Sequence, residues 1–183
     1  TSENMGESGA NPTHPQLIEW LAADFRDSGW SLKRAIRQIM SSAVYRQVSE
    51  VAPASMAPSV DPENNLLWRA RLRRLEAESI RDSMLSASGA LDVTLGGAPV
   101  PLEYHPDGRV TVAKTGLATP TSKYRRTLYL LNRRIYNPSF LNVFDKPIVT
   151  AGVCQRDDAA VALQPLAMLN DGLAAEQAAQ LAA

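Results

Sequence analysis

Cysteine occurs once in the 183 residues, at Cys154, and histidine twice, at His14 and His105. A single cysteine allows no internal disulfide and no cysteine-based zinc site, and no C-x-x-C-H segment is present to attach a c-type haem. The two histidines lie far apart, without H-x-H or H-x-x-x-H spacing, so they form no metal motif. Net charge is lacking too, because 19 Lys and Arg balance 19 Asp and Glu. That balance argues against a dedicated nucleic-acid binder, which carries a basic excess. No apolar run approaches the ~20 residues of a membrane span. Neither a glycine-rich phosphate loop nor a G-x-S-x-G elbow occurs. No metal and no cofactor is implied. What is present is a hydrophobic content of 45%, enough for a core in a chain of this length.

The first eleven residues, TSENMGESGAN, are polar and have nothing to bury. They lack the basic and apolar regions of a signal peptide and read as a flexible lead-in, left where a longer protein was cut. Residues 12–183 read as one helical domain. A first helix starts at Pro15, a residue suited to the opening turn, and ends at Ser28-Gly29. Ser31 is a good N-cap for a second helix. There Leu32, Ala35, Ile36, Ile39, Met40, Ala43 and Val44 form one stripe. The two helices are joined by a short turn and pair.

VAPASMAPSVDP, from Val51 to Pro62, reads as a linker. A third helix is expected from Glu63–Leu66 to Ser88, breaking near Arg71 and capped by Gly89. Segments 100–104 and 109–113 flank His105-Pro106-Asp107-Gly108 as a hairpin. Arg126–Ile135 reads as a strand and Pro138–Phe144 as a helical turn. Asp157 or Asp158 caps a helix that runs through Leu169, with Pro165 as a kink or as the true start. Asp171-Gly172 then precedes an alanine-rich final helix. A β-containing insertion thus spans about 92–135. The fold class is mainly α, with a small antiparallel β ribbon, and helices 1 to 3 are expected to share a core with the C-terminal pair.

The neutral total hides a layout. Residues 1–68 hold five basic and eight acidic side chains, residues 69–134 twelve and six, and residues 135–183 two and five. The middle is therefore +6, and fifteen of the basic residues are arginine against four lysines. Arginine's planar fork pairs carboxylates, sulfates and phosphates two bonds at a time. Two readings follow. In one, Arg69, Arg73, Arg74, Arg81, Arg126, Arg133 and Arg134 build an anion-binding surface. In the simpler one they form internal ion pairs. Arg74, Glu78, Arg81 and Asp82 share a helix face, which suits such a lattice.

Glu78 and Asp82 are also the best paired carboxylates for acid/base work, about 6 Å apart on one helix turn. His14 is a base or ligand candidate, although capping the helix or packing beside Trp20 is the simpler role. His105 sits at a turn tip and is expected to be solvent-exposed. Cys154 has no histidine near it in sequence to activate it and reads as a small packed side chain. Trp20 reads as core. Trp30 reads as core or as a sugar-stacking platform.

Several ordered phrases together resemble a known family. They are Asn11-Pro-Thr-His-Pro, Ser28-Gly-Trp-Ser-Leu-Lys, Asp61-Pro-Glu-Asn-Asn-Leu-Leu-Trp-Arg, Arg73-Arg-Leu-Glu-Ala-Glu-Ser-Ile-Arg-Asp, Arg125-Arg-Thr-Leu-Tyr, Phe144-Asp and Cys154-Gln-Arg. Over about residues 11–172 the chain resembles domain of unknown function 1553, the C-terminal module of planctomycete-type exported multidomain proteins. The resemblance implies an extracytoplasmic setting beside a cytochrome-c-like domain and brings no established catalytic residue. Its recurrent polar positions fall on His14, Arg73, Arg74, Glu76, Glu78, Arg81, Asp82, Arg126, Asp145, Cys154 and Arg156. The chain departs from the family pattern at Val161-Ala162 and at Pro165.

The expected function is a non-catalytic interaction or scaffold module, holding neighbouring domains or an anionic ligand through its arginines. An alternative is an enzyme on anionic or sulfated glycans that uses Glu78, Asp82 or His14. A third reading is a docking surface for the cytochrome-c-like domain.

Overall fold

A computed structural model describes residues 8–52, 55–133, 136–147, 156 and 159–182. They hold seven α-helices and one two-stranded antiparallel ribbon, so helix dominates as the sequence implies. The chain divides into two compact units, Thr1–Arg73 and Arg74–Ala183.

In the first unit, α1 (Pro15–Asp27) opens on the proline and α2 (Leu32–Ser41) on Ser31, whose hydroxyl accepts the Arg34 N–H at 3.4 Å. Asp24 on α1 meets Arg34 on α2 at 2.8 Å. Neither helix contributes a buried residue. Trp20 is 54% exposed rather than core, and Trp30 is exposed and packs edge-on against Phe25 at 5.3 Å.

A short α3 (Ala57–Val60) lies inside the expected linker. The helix expected from Glu63 is absent there, because side chains outbid the helical backbone for its N–H groups. The buried Asp61 carboxylate accepts the N–H groups of Asn65 at 2.9 Å and Leu66 at 2.7 Å. Asn64 spans to Arg69, donating to its carbonyl at 2.8 Å and accepting its N–H at 3.2 Å. The Trp68 indole N–H donates to the Asp61 carbonyl at 2.9 Å.

The second unit holds the core. Here α4 (Ala77–Ala87) ends at Gly89, whose positive φ of 72° lets the Ala90 N–H return to the Leu85 carbonyl. Strands β1 (Leu102–Tyr104) and β2 (Val110–Val112) pair with Leu102 opposite Val112. Gly108, at φ 82°, closes the hairpin by donating to the His105 carbonyl at 3.0 Å. Arg126–Leu131 is not a strand. Thr127–Tyr129 forms a 3-10 turn, and Leu130 makes an isolated parallel bridge to Val100, ahead of β1. A second 3-10 turn covers Pro120–Tyr124.

Next come α5 (Ser139–Val143), α6 (Leu163–Asn170) and α7 (Gly172–Leu181). Pro165 sits in the first turn of α6, where its missing N–H costs no helical bond. Ala77, Val100, Leu130, Phe140, Leu141 and Phe144 form the buried cluster, so α4, α5 and the entries to the ribbon close on one another. Cys154, Asp157, Asp158 and Arg134 lie outside the described residues.

Candidate functional site

The arginines of the second unit divide sharply by what their forks meet. Arg81, on the inner face of α4, is 2% exposed. It donates to the Arg125 carbonyl at 2.9 Å, the Lys123 carbonyl at 2.8 Å and the Thr127 hydroxyl at 3.2 Å. Burial pulls its pKa down to about 10, against the pull of Asp82, so it remains charged at neutral pH. Arg74 forms an ion pair with Asp145 at 2.5 Å and donates to the Phe144 carbonyl at 3.3 Å.

Arg125, missing from the sequence-derived set, is the third clamp. It donates to the carbonyls of Thr94, Gly96 and Ala98 and lies over the Tyr129 ring at 3.9 Å. No signal in the sequence separates it from its neighbour Arg126. In Arg125-Arg126 the first is buried and the second is exposed, and in Arg73-Arg74 the exposed one comes first. Arg126 reaches Asp82 at 3.6 Å from the surface. Arg133 is exposed, 5.8 Å from the Tyr104 ring centre. Arg73, exposed, belongs to the first unit, as does the half-buried Arg69.

The paired carboxylates are occupied as well. Glu78 accepts from Arg156 at 2.6 Å, and Arg156 also reaches Glu76 at 3.3 Å. Burial, the largest single influence, raises the Glu78 pKa, but the bond from Arg156, Glu78's own backbone N–H and the charges of Arg156 and Lys146 together hold it low. Asp82 accepts the Thr127 hydroxyl at 2.6 Å and the Thr127 N–H at 2.8 Å. These carboxylates fasten α4 to the segments that follow it. His14 is in the first unit, in the N-cap position of α1. It makes no capping bond, and its Nδ1 meets the Thr13 hydroxyl at 3.0 Å.

Sequence reasoning missed the main concavity of the second unit, a cleft of about 370 Å³ between the ribbon and the start of α7. Val110, Val112, Phe140 and Leu141 give it an apolar floor, and neither Glu78 nor Asp82 lines it. His105, expected to be exposed, is half-buried on its ribbon wall, its Nε2 2.9 Å from the Thr111 hydroxyl. On the far wall Tyr124 donates to Glu176 at 2.5 Å and Lys123 meets the same carboxylate at 3.3 Å. The Tyr124 bond, helped by Lys123 and Lys114, holds the Glu176 pKa low. Lys123 is raised by its bonds to Tyr124 and Glu176. Among the described residues no group of three His, Cys, Asp or Glu side chains is placed to hold a metal ion, and no helix is long and apolar enough to cross a membrane.

These shifts give a pH dependence with a definite sign. Carboxylates whose folded pKa lies below the ordinary 4.5 add stability that is present above that value and lost as pH falls through the folded pKa. Thermal melts are expected to show stability falling from about pH 4.5 downward. The acid limb should be shallower in Glu78→Gln and Glu176→Gln. Parallel acid limbs for wild type and both variants would contradict this.

Fold and site together define a helix-dominated module, its second unit fastened internally by arginine. The chain belongs to the family described as "Protein of unknown function (DUF1553)", which matches residues 1–183. No curated protein and no solved structure matches it.

Proposed function

We propose that this chain is a non-catalytic interaction module of an exported multidomain protein, docking on a neighbouring domain of its parent. The cytochrome-c-like domain implied by the family resemblance is the foremost candidate. The observation that carries this reading is the α1–α2 pair. Its apolar stripe is kept at the surface, with Ile36 53% exposed and Ile18, Leu32, Ile39 and Met40 exposed beside it. A contiguous apolar stripe of this kind marks an interaction surface. The occupied carboxylates Glu78 and Asp82 support a structural rather than an acid/base role for α4. Of the second unit's arginines, Arg126 and Arg133 keep exposed forks for an anionic ligand such as a sulfated glycan, and Arg73 in the first unit is exposed as well. Arg74 and Arg81 serve as clamps.

The test is Ile36→Glu. In the isolated chain it is expected to change stability by about 0.5 kcal/mol or less, as exposed substitutions do. Co-purification of the neighbouring domain, expressed separately, is expected to be lost. A large drop in the chain's own melting temperature, or undiminished co-purification, would overturn the reading. For the anionic ligand, a glycan array with sulfated and non-sulfated members is expected to show sulfate-dependent binding that Arg126→Ala with Arg133→Ala removes.

A further inference from the structure

One face of α2 mixes apolar surface with charge of a single sign. Lys33, Ile36, Arg37, Met40 and Ser41 line a groove there, at the i, i+3, i+4, i+7 and i+8 spacing of one helix side, with no carboxylate among them. All five are exposed. On the other side of the helix Ala35 and Gln38 are half-buried, and Arg34 reaches Asp24 on α1.

The cations of the groove are unspent. Between Ser28 and Ser49 there is no Asp or Glu, but there are Lys33, Arg34, Arg37 and Arg46. Asp24 takes up Arg34 alone. Among the described residues no carboxylate comes within ion-pair distance of Lys33 or Arg37. Like charges four residues apart on a helix repel one another. Ile36 and Met40 stand between them, each about half-exposed. Any partner that covers these two apolar side chains also strips water from the ammonium and the guanidinium beside them. That desolvation is costly unless the partner brings opposite charge.

We propose that the partner of the α1–α2 pair docks through an apolar patch bordered by carboxylates, its apolar side chains covering Ile36 and Met40 and its acids meeting Lys33 and Arg37. The inference rests on the docking reading and adds the partner's chemistry. A protein patch fits better than an anionic bilayer because Glu19 is exposed on α1, between exposed Ile18 and Trp20 in sequence. Lipid phosphates repel that carboxylate, whereas a folded partner can set a base opposite it.

The test titrates the neighbouring domain, expressed separately, into the full chain by calorimetry. Affinity is expected to fall as NaCl rises from about 50 to about 300 mM. Lys33→Glu/Arg37→Glu is expected to weaken binding about tenfold or more and to abolish the salt dependence. Both side chains are exposed and unpaired, so the variant should melt with the wild type. Lys33→Gln/Arg37→Gln should lose part of the affinity, which keeps the test valid if charge reversal disturbs the helix. Full affinity in both double variants, with binding still lost in Ile36→Glu, would overturn the acidic border and leave the docking reading standing. Full affinity in Ile36→Glu would overturn both. Saturable binding to equimolar phosphatidylcholine–phosphatidylserine vesicles, removed by the same charge reversal, would assign the groove to a lipid surface and overturn the protein partner.

Discussion

Arg81→Ala is expected to be the most damaging single substitution in the second unit, costing about 3–5 kcal/mol, as removal of one partner from a buried charged cluster does. The reason is what remains behind. The carbonyls of Lys123 and Arg125 and the Thr127 hydroxyl lose their donor inside the protein. Asp82, 3.7 Å from the guanidinium, loses its buried counter-charge. Unsatisfied buried acceptors cost more than the bonds they made were worth. A drop in melting temperature on the order of 10 °C should follow. Arg81→Met fills the space without supplying donors and should recover only the packing part of the loss. Denaturant melts of the three proteins decide the matter, and an Arg81→Ala chain as stable as wild type would remove the clamp from this account.

The second large effect sets two sequence neighbours against each other. Arg125→Lys is expected to cost about 2–4 kcal/mol, because an ammonium cannot reproduce a fork spread over three carbonyls and a ring face. The carbonyls of Thr94, Gly96 and Ala98 define the loop between α4 and the ribbon, so amide exchange there should accelerate in the variant. Arg126→Ala should cost less than about 1 kcal/mol, since its ion pair with Asp82 is 3.6 Å long and the arginine is half-exposed. Equal effects at the two positions would show that the buried-and-exposed reading of the doublet is wrong.

What the sequence disclosed and what it hid have physical causes. The start of α2 was legible because Ser31 and an unbroken apolar stripe agree, and the hairpin because Asp107-Gly108 sits between alternating segments. The helix start expected at Glu63–Leu66 misled because Asp61 and Asn64 satisfy the backbone locally and remove the need for a helix. Thr127–Leu131 misled because its β-rich composition serves a 3-10 turn whose first residue is held by Asp82. The arginine-rich middle was legible as charge but not as geometry. Nothing in a list of residues tells Arg125 from Arg126. Only the fold decides which fork meets carbonyls 27 to 31 residues away. The cleft was invisible because its walls come from three distant parts of the chain.

Arg81 also bears on the order in which the protein is made. The groups that receive its guanidinium lie 42, 44 and 46 residues downstream. At about 5–20 residues per second, α4 leaves the ribosome several seconds before them. Until they arrive, the helix carries a hydrated cation on what becomes its innermost side and has no low-energy way to settle. Closing so long a loop is entropically slow compared with winding the helix. Assembly of the second unit therefore waits on the Lys123–Thr127 segment, and the chain stays open until that stretch has been synthesised.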